Sequence, residues 1–144
     1  MKVFLGGTCN ESTWRKELIP LLEVDYFNPV VEDWTEGCFI EELKQRKECD
    51  YCLYVITPKM TGVYSIAEVV DDSNKRPLST LFCVLEKDGD KEFSFGQMKS
   101  LYKTMLMVER NGAFSFNSLE EVAKYLNNVG QFENMYKKKE VAGK

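Results

Sequence analysis

The sequence predicts a single doubly wound α/β domain with a mostly parallel sheet of about five strands. Three observations predict it. Charge-free apolar runs such as Cys52–Ile56 and Thr80–Leu85 recur along the chain, as strands buried on both faces do. Segments with apolar residues at helical spacing separate these runs. Three of the loops that follow the runs carry glycines, hydroxyls and acids, and in α/β proteins such loops hold the ligand. A length of 144 residues suits one domain with a real core, and neither an internal repeat nor a linker interrupts it.

Taken in order, Lys2–Leu5 reads as a short strand ending at Gly6-Gly7 and Thr8. A helix is expected over Thr13–Leu22, with Trp14, Leu18, Leu21 and Leu22 at helical spacing and Ser12 or Thr13 as cap. Val24–Phe27 reads as a second strand closed by Asn28-Pro29, and Val30–Trp34 as a loop. Glu36–Cys49 reads as a helix with Phe39, Ile40, Leu43 and Lys47 as its inner stripe. Cys52–Ile56 is the central strand, followed by Thr57–Gly62 and a helix that carries Glu68 and runs to about Ser73, near the break at Asn74–Pro77. Thr80–Leu85 is the next strand, Glu86–Glu92 a polar turn, Ser100–Val108 a helix and Ala113-Phe114 a short strand. Ser118 and Glu121 fit a capping box for a final helix to about Asn127. The expected domain is 1–129, with 130–144 a mobile basic tail around Lys137-Lys138-Lys139.

Composition narrows the chemistry. A net charge of −4 argues against nucleic acid as the main partner. No apolar run approaches the ~20 residues of a membrane span, and Met1–Leu5 is too short for a signal peptide, so a cytoplasmic protein is expected. Five cysteines without a secretory signal suggest free thiols. Cys49 and Cys52 have C-x-x-C spacing, but no second pair and no histidine accompany them, so they read as packing residues and no metal site is expected. The absence of histidine leaves acid–base or nucleophilic work to Asp, Glu, Tyr, Lys or Cys.

In a doubly wound topology three loops converge at the strand C-terminal edge: Gly6, Gly7 and Thr8; Asn28 to Trp34; and Thr57 to Glu68, which includes Gly62, Tyr64 and Ser65. The Gly-Gly pair suits either a ligand cradle or a tight turn. Asp33 beside Trp34 suits sugar or base recognition, or is an exposed acid next to an aromatic residue. Glu68 is either a nucleophile or an ordinary acid in a first turn, where the helix dipole favours it. A carboxylate-led site without histidine points to glycosyl chemistry, in which a carboxylate attacks or stabilises an oxocarbenium-like carbon.

Phe4-Leu5-Gly6-Gly7-Thr8, Tyr26-Phe27-Asn28-Pro29, Cys49-Asp50 and Thr61-Gly62-Val63-Tyr64-Ser65-Ile66-Ala67-Glu68 resemble the nucleoside 2-deoxyribosyltransferase superfamily, closest to its nucleoside 2-deoxyribosyltransferase-like branch. The resemblance covers about residues 2–127, and the Gly-x-x-Ser-Ile-Ala-Glu segment is its most specific part. It implies a flavodoxin-like or Rossmann-like fold, no cofactor, and a homodimer or higher homo-oligomer. It also implies a nucleoside or nucleotide substrate, with Glu68 attacking C1′ and the sugar passing to another base or to water. The acid that protonates or holds the base falls on Glu42, 26 residues earlier, or on Glu41 in another helix register, and Asp33 contributes from its loop. Gly6 and Thr8 would line the base side and Ser65 the sugar or 5′ side. A segment such as Phe95–Met98 would complete a neighbour's pocket. Two positions depart from the family pattern: Gly62 stands where an acid often binds sugar hydroxyls, and Val69-Val70 replaces a Leu-Gly pair. Gly62 and Ser65 would suit a 5′-monophosphate. A non-catalytic nucleotide-binding module on the same fold is the alternative.

Overall fold

The computed structural model describes residues 1–9 and 11–143, the side chain of Val141 excepted. Five parallel strands form the central sheet: β1 (Lys2–Gly7), β2 (Asp25–Phe27), β3 (Tyr51–Ile56), β4 (Thr80–Val84) and, after a two-stranded hairpin of β5 (Lys87–Asp88) and β6 (Lys91–Glu92), β7 (Phe114–Phe116). Their order is β2-β1-β3-β4-β7. This is the flavodoxin-like order, and its direction reverses between β1 and β3, where such sheets open a ligand crevice. The helices are α1 (Trp14–Leu18), α2 (Glu36–Glu48), α3 (Tyr64–Lys75), α4 (Phe95–Arg110) and α5 (Leu119–Ala142).

Strand alternation builds two cores. Phe4, Tyr54, Ile56 and Phe82 point to one face and pack under α3 and α4 with Val69, Met105 and Val108. Val3, Leu5, Leu53, Val55 and Leu81 point to the other face and meet Trp14 and Leu18 of α1 and Val122 and Leu126 of α5. At five residues α1 is too short to persist by itself. Burial of Trp14 and Leu18, worth about 2 kcal/mol each, fixes it to the sheet.

Several elements differ from the expectation, each for a local reason. Strand β1 continues through both glycines because Gly6 and Gly7 pair with Tyr54 and Val55 of β3. Helix α1 stops at Leu18 and gives way to a 3₁₀ turn, Ile19–Leu21, because Pro20 lacks the donor an α-helix needs. Helix α4 begins at Phe95, five residues early, at an overlooked capping box in which Ser94 and Gln97 satisfy each other's backbone N–H groups. The polar turn is the β5–β6 hairpin, with Gly89 at φ +64°. The last strand is Phe114–Phe116 rather than Ala113-Phe114.

Helix α5 does not stop near Asn127 but continues to Ala142. Gly130 passes through its middle because a Cβ there would lie 2.6 Å from Val24 Cγ1, so the glycine marks a close approach and not a stop. The stripe assigned to α2 is reversed. Phe39, Ile40 and Leu43 are exposed, and positions 42, 46 and 49 face the sheet instead. Tyr54 on the sheet and Asp71 and Asp72 on α3 receive the Arg46 guanidinium on that face.

Candidate functional site

The crevice between β1 and β3 opens into a pocket of about 340 Å³. Its floor is the end of β1, which the sequence shapes by close contact. Gly7 has φ +122°, and a Cβ on it would lie 2.0 Å from Val55 O. A Cβ on Gly6 would meet the Tyr54 ring at 2.8 Å. At Gly7 the obstacle is the β3 backbone, so that approach requires glycine; at Gly6 it is side-chain rings.

The loop after β1 is held from three sides. Thr8 N–H donates to Val55 O at 2.9 Å, and the Thr8 hydroxyl accepts from Thr57 N–H at 3.1 Å. Trp14 Nε1 and Arg15 Nη1 both donate to Thr8 O, at 2.6 and 2.8 Å. Arg15 Nε and Nη2 also donate to Leu5 O, at 3.1 and 2.9 Å, with the guanidinium 4.3 Å from the Trp14 ring centre. Burial lowers Arg15 to about 10, with Cys9 and Glu42 opposing, so it stays cationic at neutral pH. The hairpin adds a clamp: Ser12 donates to Asp88 at 2.6 Å, and Lys59 lies 3.7 Å from the same carboxylate.

Glu68 sits one turn into α3 on the opposite wall, with only 6% of its surface exposed. Burial raises its carboxyl to about 7; Arg46 opposes the rise, and Glu42 and Asp72 add to it. Glu42 lines the pocket from α2, and burial raises it too, against the pull of Arg15 and Arg46. Two raised carboxyls facing one crevice are the pattern of an acid–base or nucleophilic site. Behind Glu68, Tyr54 OH donates to Asp72 at 2.5 Å and accepts from Arg46 Nε at 2.9 Å. Asp72 lies one helical turn beyond Glu68 and is equally buried. The Arg46 guanidinium bridges the two, 3.0 Å from Asp72 Oδ1 and 3.5 Å from Glu68 Oε2.

Of the residues singled out from the sequence, Glu68, Glu42, Gly6, Gly7, Thr8, Trp34, Gly62, Tyr64 and Ser65 line this pocket. Asp33 and Asn28 are not among its lining residues. Asp33 sits in the exposed loop, where its backbone oxygen faces Cys38 Sγ, and Asn28 Oδ1 accepts from Val30 N–H and shapes the turn. Pro29, Val30 and Val31 of that loop supply the wall instead. Glu41 pairs with Gln45 on the exposed side of α2, so the register brings Glu42 inward. Trp34 is 66% exposed, a rim residue 6.4 Å from the Phe39 ring.

Sequence reading places Arg15 near this rim without a role there and does not single out Arg46; the structure puts Arg15 on the pocket wall and Arg46 behind Glu68. The four-residue spacing of Glu42 and Arg46 on one helix was the available signal for the second. Cys49 and Cys52 are buried and unbridged, and burial pushes the Cys52 thiol up to about 12, far from a reactive thiolate. Among the described residues no cluster of three or more His, Cys, Asp or Glu is placed to hold a metal, and no helix is long and apolar enough to cross a membrane.

A family model described as "Nucleoside 2-deoxyribosyltransferase like" matches residues 1–84, which include every pocket residue named above. Neither the curated proteins nor the solved structures contain a match.

Proposed function

The chain belongs to the nucleoside 2-deoxyribosyltransferase-like family, and we propose that it cleaves the N-glycosidic bond of deoxynucleosides or their 5′-monophosphates with Glu68 as nucleophile. The observation that carries the reading is the buried Glu68 carboxyl at the switch-point pocket, sharing that pocket with Glu42. A Glu68 oxygen bonds to C1′ while the C1′–N bond breaks. The base leaves with the bonding pair and takes a proton, which the raised Glu42 is suited to give. In the second half an acceptor base nitrogen or a water oxygen bonds to C1′, Glu68 leaves as carboxylate, and the attacking group gives up its proton to Glu42. Arg15 anchors the floor through Leu5 and Thr8, and Trp34 offers a ring at the rim for stacking a base.

The test is incubation with a panel of deoxynucleosides and their monophosphates, with and without an acceptor base. Free base without acceptor marks hydrolysis; a new nucleoside marks transfer. If no substrate in the panel releases base, the reading is wrong.

Gly62 bears on the 5′ group. A Cβ there meets nothing within 4 Å, so the family's acid has room but is absent. Gly62→Asp should fold with an unchanged melting temperature. It should also lower kcat/KM for 5′-monophosphates relative to nucleosides by about tenfold, through charge repulsion of about 1.4 kcal/mol. An unchanged ratio would place the phosphate away from this loop. The same open position favours one second reading, a nucleotide-binding module without turnover. Stoichiometric binding that survives Glu68→Gln, with no base released by the unaltered chain, would mark that class.

A further inference from the structure

We propose that Arg46 is a positioning residue for Glu68: from α2 it spans the two buried carboxylates of α3 and holds Glu68 ionised and oriented for attack. This rests on the reading of Glu68 as nucleophile.

The geometry is that of a fork laid across one helical turn. Arg46 Nη2 reaches Asp72 Oδ1 at 3.0 Å, Asp71 Oδ2 at 3.1 Å and the backbone oxygen of Glu68 at 3.4 Å. Its Nε faces Tyr54 OH at 2.9 Å, Asp72 Oδ2 at 3.3 Å and Glu68 Oε2 at 3.5 Å. The Glu68 contact is the longest of these, so Arg46 acts on that carboxylate as a nearby charge more than as a hydrogen-bond donor. Asp72, tied down by Tyr54 and lying 3.6 Å from Arg76 Nε, fixes where the guanidinium sits. The planar fork reaches three carboxylates at once, Glu68 and Asp72 buried and Asp71 more exposed, with a geometry that a single ammonium lacks.

The groups that face Glu68 give the arrangement its direction. Glu42 from α2 and Asp72 from α3 disfavour its negative charge, and Arg46 from α2 favours it. Tyr54 from β3 keeps its own proton, raised by burial and by the negative groups around it. Arg15 from α1 acts on Glu42. Asp71 is more exposed and already shared with Lys75, and Arg76 is engaged with Asp72. Arg46 is therefore the cation in direct contact with Glu68 among the described residues.

The experiment titrates the Glu68 carboxyl by NMR in protein carrying carboxyl-labelled glutamate, its signal assigned by its loss in Glu68→Gln. In the unaltered protein the midpoint should lie near 7. Arg46→Gln should move it up by at least about one pH unit, and Arg46→Lys by less, because the charge remains and the fork is lost. Asp72→Asn should move it down, because a like charge is removed and Arg46 is freed for Glu68. The acid limb of the kcat profile for base release should shift in the same order, which a purely structural role would not produce. If Arg46→Gln fails to fold, as judged by near-ultraviolet circular dichroism, the Lys and Asp72→Asn shifts decide. A Glu68 midpoint that ignores all three substitutions overturns the inference, even if the protein turns over. A midpoint that shifts as expected in a protein releasing no base upholds the ionic hold on Glu68 and overturns the nucleophile reading alone.

Discussion

Glu68→Gln is expected to abolish base release, by at least about a thousandfold, and to make the protein more stable above neutral pH. The first effect follows from chemistry, because an amide cannot form the glycosyl ester and lacks the negative charge that stabilises the developing cation. The second follows from burial. The folded protein holds the Glu68 carboxyl near 7, whereas the unfolded chain titrates it near its ordinary value of about 4.5. Between these pH values the folded state binds the extra proton, so the stabilising contribution is complete below about 4.5 and is lost as pH rises through 7. Glutamine does not titrate, so urea unfolding should show the variant gaining on the unaltered protein from pH 4.5 to pH 8, by about 1–3 kcal/mol. The same ionisation should give kcat/KM an ascending limb centred near pH 7. Loss of activity without that pH-dependent gain in stability would mean that Glu68 is not held in an environment hostile to its charge. Retained activity would remove it from the chemistry.

Gly7→Ala is expected to cost about 3 kcal/mol or more, a large share of a typical 5–15 kcal/mol domain stability. Two penalties combine. The residue has φ +122°, which L side chains rarely adopt, and the new methyl would lie 2.0 Å from Val55 O and 2.6 Å from Val55 N. Both obstacles are backbone in a buried strand pair, so neither can swing aside. Gly6→Ala should cost less, because its nearest neighbours are the Tyr54 and Phe4 rings, at 2.8 and 3.0 Å, and rings can tilt. Denaturant midpoints of the two variants give the comparison. An equal or smaller loss for Gly7→Ala would mean that β1 and β3 part readily at the switch point.

Much of this architecture was legible from local signals. Cys52–Ile56 and Thr80–Val84 are charge-free and β-branched because both of their faces are covered, and that pattern survives in one dimension. Glu68 was legible because it follows a strand, a glycine-bearing loop and a helix start in unbroken order. Helix α2 was misread for the opposite reason. Its most apolar residues, Phe39, Ile40 and Leu43, face outward, and periodicity assigns the apolar side inward by default. A long helix that passes Gly130 defeats the rule that glycine ends helices, because the rule does not see Val24 across the gap.

By itself, the sequence determined the fold class, the place of the three loops at one sheet edge, and the position of Glu68 in the pocket they line. These follow from residue order and from which side chains tolerate burial on two faces. Tertiary structure alone decided which charges meet. It brought Glu42 inward and left Glu41 outside, took Asp33 and Asn28 off the pocket wall, put Arg15 on that wall, and set Arg46 against Glu68, Asp72 and Tyr54. Residues 46, 54, 68 and 72 lie on three separate elements, so their partnership depends on helix register and sheet order. A carboxyl raised to about 7 is likewise a property of what surrounds it and not of the residue.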